Sequence, residues 1–153
     1  PVACSTGFQP VHLSNTMTDN STPNPLLTCT MPFRVRYAEC DPMGYLHHAH
    51  YWVYFEEVRT ELLRRQGFVY RDLEASGVLF VVHKLAATFL RRVRYDDMVT
   101  VECKVMRITH TRVDHAYRVL RGEELCTQAV STLASVGRDG RPIVMPKELW
   151  PRP

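Results

Sequence analysis

A chain of 153 residues, 45% hydrophobic and 23% charged, has room for one globular domain with a single core. Its formal charge of +3 is small and scattered, which argues against a nucleic-acid partner. No apolar stretch approaches the roughly 18 residues that a membrane-spanning helix needs, so no membrane partner is expected.

Residues 1–30 are rich in Ser, Thr, Asn and Pro, and Asp19 is their only formally charged residue. Such a segment buries too little apolar surface to offset its ordering entropy and is expected to be a disordered leader. It lacks the basic and apolar regions of a secretory signal, and no arginine precedes Arg34, so neither secretion nor mitochondrial import is expected. The five cysteines, Cys4, Cys29, Cys40, Cys103 and Cys126, are odd in number and form no C-x-x-C pair. Free thiols in a reducing, cytoplasmic setting are the simpler reading.

From Met31 the texture changes. Phe33-Arg34-Val35-Arg36-Tyr37 alternates as a half-buried strand should, and Asp41-Pro42-Met43-Gly44 reads as a turn. Over Ala49–Gln66, Tyr51, Phe55, Val58 and Leu62 recur at helical spacing, with Trp52, Tyr54 and Leu63 widening the stripe. Apolar residues over more than half of its circumference suggest a helix enclosed by sheet. Gly67 is a natural stop, and Arg71–Ala75 reads as a second short helical turn. Strands are expected at Leu79–Leu90, Met98–Ile108, Arg112–Leu120 and Leu125–Val136. Their hairpin tips fall at Thr109-His110 and Gly122-Glu123, and Asp139-Gly140 marks a further turn. The expected fold class is α+β over residues 31–147, an antiparallel sheet packed on one long helix, with residues 148–153 as a C-terminal tail.

No nucleophile elbow, Walker loop, H-E-x-x-H or dinucleotide fingerprint is present. The dense polar segment Tyr37-Ala38-Glu39-Cys40-Asp41-Pro42-Met43-Gly44-Tyr45-Leu46-His47-His48-Ala49-His50-Tyr51 remains. It sets a carboxylate on a loop that leads into a helix N-terminus, where unpaired N–H groups and the helix dipole favour negative charge. An oxyanion near the His48 N–H would be stabilised there. Asp41, on the other side of the reacting carbon, could attack directly or deprotonate a water. Gly44 would let the substrate approach the backbone without a Cβ in the way. His47, His48 and His50 with Asp41 invite a metal reading, yet adjacent histidines at a helix start diverge by about 100°, and no second ligand cluster accompanies them. No metal is expected. Cys40 has no base paired with it and is read as structural. Glu56 and Glu57 belong either to the substrate region or to a solvated helix face. Tyr51, Trp52 and Tyr54 divide between core and acyl-pocket lining. The cluster Arg91-Arg92-Val93-Arg94 is either solvated surface or an anion site for a phosphate-bearing cofactor.

The run from Val35 to Gly44, then His48-Ala49-His50-Tyr51, Phe55-Glu56-Glu57-Val58-Arg59, Phe89, and Arg94-Tyr95-Asp96-Asp97-Met98-Val99-Thr100-Val101, resembles the 4-hydroxybenzoyl-CoA thioesterase family. The resemblance covers roughly Phe33 to Val136. It implies a hotdog fold, a sheet wrapped around the long helix, with active sites at a dimer interface and homodimers or homotetramers as the assemblies. It implies Asp41 as the catalytic carboxylate and the His48 N–H as the group polarising the thioester carbonyl. Gly44, Tyr51, Glu56, Glu57, Arg91 and Arg92 are then the candidates for substrate binding. Hydrolysis of acyl- or aryl-CoA is the implied activity, with acyl-carrier protein as a second donor and no cofactor beyond the CoA of the substrate. One feature departs from the pattern. Benzoyl-type members hold CoA phosphates with a basic triplet at a hairpin tip, whereas Thr109-His110-Thr111 stands here, which leaves Arg91, Arg92 or Arg94 for that task. The alternatives are a hotdog hydratase or dehydratase, disfavoured by the spacing of Asp41 from His47 and His48, and a non-catalytic acyl-thioester-binding dimer.

Overall fold

The alternation that makes these segments strands also decides which face meets the helix. In the computed structural model, which describes residues 27–149, five strands form: β1 (Thr28–Arg34), β2 (Leu79–Phe89), β3 (Met98–Ile108), β4 (Arg112–Arg121) and β5 (Glu124–Val136). They make one sheet in the order β1-β3-β4-β5-β2, every neighbouring pair antiparallel. Val99, Val101, Cys103 and Val105 alternate inward along β3, as His115, Tyr117 and Val119 do along β4. This is the expected α+β class. Residues 1–26 of the expected leader and 150–153 of the expected tail lie outside the described residues.

Helix α1 (His48–Arg65) lies against the inner face through Tyr51, Tyr54, Phe55, Val58 and Leu62. Phe55, fully buried, stacks on Tyr117 with ring centroids 4.5 Å apart. Tyr54 stacks on Phe33 at 4.4 Å, tying the helix to the edge strand β1. The buried stripe is narrower than the apolar pattern suggests: Val53, Glu56 and Glu57 are exposed on the outward side. Shifts of register after Val82, Val105 and Val119 add the twist that lets a sheet curl round a helix. A short helix α2 (Tyr70–Ala75) follows.

The first strand differs from its sequence reading. It runs over Thr28–Arg34 rather than from Phe33 to Tyr37, so it begins inside the segment assigned to the leader. Tyr37–Glu39 forms a 3₁₀ turn instead. Glu39 is the cause, because its carboxylate accepts the Arg36 backbone N–H at 2.8 Å and the Arg36 side chain at 2.9 and 2.6 Å. This reciprocal capture closes a turn where the alternation alone would have continued the strand. At the other end, Lys147–Leu149 forms a 3₁₀ turn with Leu149 buried.

Candidate active site

Asp41 sits between the 3₁₀ turn and α1. Its Oδ1 accepts the N–H groups of Met43 (2.9 Å) and Tyr45 (3.1 Å). Its own N–H donates to the Tyr45 carbonyl at 2.8 Å, and the Gly44 N–H donates to the Asp41 carbonyl at 2.9 Å. One carboxylate oxygen therefore builds the turn, while Oδ2 receives no hydrogen bond from any described residue. Gly44 takes φ 78°, and a Cβ there would meet nothing within 4 Å. The left-handed backbone there is one that glycine adopts freely.

The helix begins with His47 as its cap: the Nδ1 of His47 accepts the Ala49 N–H at 3.3 Å. The His48 N–H, one residue earlier than Ala49, donates to no described residue. The His48 ring lies 4.1 Å from that of His47. Across from the helix start runs the connection after β2. The Leu46 N–H donates to the Val93 carbonyl at 2.8 Å, and Tyr45 pairs with Arg94. Arg92 and Arg94 both stand over the Tyr45 ring, at 5.2 and 5.6 Å from its centroid. Neither forms an ion pair with a described carboxylate, whereas Arg91 reaches Glu124 at 3.5 Å. Arg121, from the end of β4, pairs with Asp97 at 2.9 Å and with Glu124 at 2.6 Å.

These parts enclose an open groove of about 680 Å³ that brings together Asp41, His48, Tyr51, Arg91, Arg92 and Arg121. Tyr51 is buried at its base against Phe89, ring centroids 5.0 Å apart. Burial pushes the Tyr51 phenol pKa up, with Thr127 beside it acting in the opposite sense. Of the residues singled out from sequence, Gly44, Glu56 and Glu57 are not in the lining. Glu56 pairs with Arg59 at 3.0 Å and borders a different cavity. Among the described residues no group of three or more His, Cys, Asp or Glu is arranged to hold a metal. Burial, then the neighbouring Asp41 and Glu39, push the Cys40 thiol pKa up, the opposite of what a thiolate nucleophile needs.

Glu39 was not singled out as a site residue, and it is the anchor of the loop. Only 2% exposed, it accepts the Tyr54 hydroxyl at 2.6 Å besides the three Arg36 bonds. Burial pushes its pKa up, but the hydrogen bonds from Arg36 and Tyr54 outweigh that and hold it below the ordinary carboxylate range. Its carbonyl also accepts the His47 N–H at 2.9 Å, so one residue ties the Asp41 loop to the helix cap. The sequence signal was the Arg36/Glu39 spacing, which reads equally well as a surface pair. Tyr45 and Arg121 were also missed, and only the folded sheet brings Arg121 here.

The profile of the thioesterase-like superfamily matches residues 35–151. The chain belongs to that superfamily. The acyl-CoA thioesterase YbgC of Haemophilus influenzae is 31% identical over 122 residues, 78% of this chain and 90% of the relative. The acyl-CoA thioester hydrolase YbgC of Escherichia coli is 33% identical over 92 residues, 60% and 69% of the two chains. Among solved structures, the DHNA-CoA thioesterase of Staphylococcus aureus superposes with a TM-score of 0.74 at 28% identity, covering 76% of this chain and 80% of that one. The fold of this thioesterase is thus the hotdog arrangement that the resemblance implied, and its enzyme class is the one expected.

Proposed function

We propose that this thioesterase hydrolyses acyl- or aryl-CoA thioesters in the groove at the start of α1. The observation that carries the reading is the division of the Asp41 carboxylate. One oxygen is fixed by two backbone N–H groups and the other accepts from no described residue, and Asp41 lines the groove together with His48, whose N–H donates to no described residue. The thioester carbonyl would accept the His48 N–H, and the helix dipole would stabilise the oxyanion. Asp41 either deprotonates a water that attacks the carbonyl carbon, or attacks it directly to give an acyl anhydride that water then cleaves. Both routes release the CoA thiol and a carboxylic acid. Neither draws on a metal or redox cofactor.

Arg92 and Arg94, without a carboxylate partner among the described residues, are suited to the phosphates of CoA. The Thr109-His110-Thr111 tip lies at the far end of β3, about 33 Å along the strand from Met98, so within one chain it does not reach the groove. A carrier-protein donor would present a single phosphate to the same arginines. The open edge strand β2 exposes Val81, Val82 and Phe89, which fits the homodimer that the family resemblance implies, with Phe89 bordering the groove. The four free thiols among the described residues fit a reducing, cytoplasmic setting.

A thiol-release assay across short-chain, long-chain and aryl-CoA substrates tests this. Asp41→Asn keeps an Oδ1 acceptor for the turn and removes only the basic oxygen. It is expected to lower kcat by about 10² to 10⁴ with unchanged stability. An Asn variant as active as wild type, or tight binding of every thioester with turnover of none, would refute the assignment.

A further inference from the structure

Residues 39–41 and 45–47 form a short antiparallel arm closed by the Asp41 turn. Cys40 pairs with Leu46, the Asp41 N–H donates to the Tyr45 carbonyl at 2.8 Å, and the His47 N–H donates to the Glu39 carbonyl at 2.9 Å. The Asp41 carboxylate takes its orientation from this arm, because the N–H groups that hold its Oδ1 belong to Met43 and Tyr45. Where Oδ2 stands relative to the His48 N–H therefore depends on how the arm is seated against α1. Glu39 ties it to that helix at two points. Its carbonyl holds the helix cap, and its Oε2 accepts the Tyr54 hydroxyl at 2.6 Å. Tyr54 lies six residues after His48, about 9 Å further along the same helix. The three Arg36 bonds to Glu39 stay within the 3₁₀ turn and fix nothing relative to α1.

We infer that Tyr54 is a positioning residue for the hydrolysis: through Glu39, its hydroxyl sets the Asp41 carboxylate at a fixed reach from the His48 N–H. The inference rests on the reading of the groove proposed above. Packing accounts for the Tyr54 ring, which is buried and stacks on Phe33 at 4.4 Å. It does not account for the hydroxyl, or for a carboxylate only 2% exposed. Taking a charge out of water is costly, and an apolar contact of similar volume often holds two segments at least as firmly. A short bond to a charged acceptor adds what apolar packing lacks, a defined length and direction. Burial, with Glu39 beside it, pushes the Tyr54 phenol pKa further up, so the hydroxyl stays the donor throughout the neutral range. Reaction geometry is steep: a misplacement of about 1 Å can cost about 10²-fold in rate.

Tyr54→Phe in the full chain removes one oxygen and keeps the ring. It is expected to lower kcat for an acyl-CoA by about tenfold with KM within about twofold, the mark of a loss felt in the transition state. In the Asp41→Asn background the same substitution is expected to cost less than about twofold, because residues that act as a unit are not additive. A hydroxyl that served stability alone would lower the unfolding midpoint and show neither effect. Amide NMR gives a readout without turnover: the Met43, Tyr45 and His48 N–H resonances should move in Tyr54→Phe. If that variant does not fold, Glu39→Gln takes its place with the same expectations. An unchanged kcat, a rise in KM alone, a full tenfold loss on top of Asp41→Asn, or amides that stay in place would each overturn the inference. An Asp41→Asn variant as active as wild type would refute the reading of the groove itself, whereas unmoved amides refute the positioning alone, so the two failures are told apart.

Discussion

Among the described residues, His115 and the buried Glu39 mark two stages of an acid limb. His115 is held neutral by burial, with a folded pKa of about 4 against about 6.5 in an unfolded chain. Between those values the unfolded state binds the extra proton, so stability falls as pH drops from about 6.5 to about 4, by about 3 kcal/mol. Glu39 acts lower. Its folded pKa lies below the ordinary carboxylate value, so its contribution is complete above about pH 4.3 and is lost as pH falls further through the folded value. Thermal unfolding between pH 7 and 3 should show both stages. His115→Phe should remove the upper stage and leave the lower one, and Glu39→Gln should shrink the lower stage, to which Asp114 also contributes, and leave the upper one. A single carboxylate-like limb in wild type would contradict the neutral, buried imidazole.

At the level of elements, the cap of α1 joins stability to chemistry. Histidine is a weak cap, bonded here through Nδ1 at 3.3 Å. His47→Asp should stabilise the fold by about 0.5–1 kcal/mol in urea unfolding, because aspartate caps better and complements the dipole. The same negative charge should slow thioester turnover, since it competes for the field that the oxyanion needs. Faster turnover in that variant would detach the helix start from the reaction. The helix itself and four of the five strands were legible from periodicity, because burial on one face imposes spacings of 3.6 or 2 on the sequence. The Asp41 turn was legible from Asp-Pro-x-Gly. The first strand was misplaced because Glu39, a charged residue, folds inward and captures Arg36. Such a capture depends on Tyr54 arriving from α1, fifteen residues away. Arg121 was illegible for a similar reason: it reaches the groove only because β4 lies in the same sheet as β3 and β5. Glu56 and Glu57 were nominated by motif proximity alone, and the helix turns both away from the groove.

Over the whole molecule, a net charge of +3 conceals a local concentration of Arg91, Arg92, Arg94 and Arg121 on one groove. That asymmetry predicts salt-sensitive recognition. Raising ionic strength from about 0.01 M to about 1 M shortens the screening length from about 30 Å to about 3 Å. It should raise KM for an acyl-CoA far more than for the matching acyl-pantetheine thioester, which carries no phosphate. Arg92→Ala should raise KM for the CoA substrate by about tenfold and flatten the salt dependence, with kcat nearly unchanged. Equal salt dependence for the two thioesters would remove the arginines from cofactor-moiety recognition. The Glu39 anchor has a different kind of consequence. The His47 amide is bonded to the Glu39 carbonyl, and the Glu39 carboxylate is bonded to Tyr54 in the core, so the helix cap is tied to the core through one residue. In deuterated buffer that amide should exchange only as slowly as the deepest amides of β3 and β4, in one cooperative unit with them, and the hearth of the reaction would then be among the last places in the protein to melt.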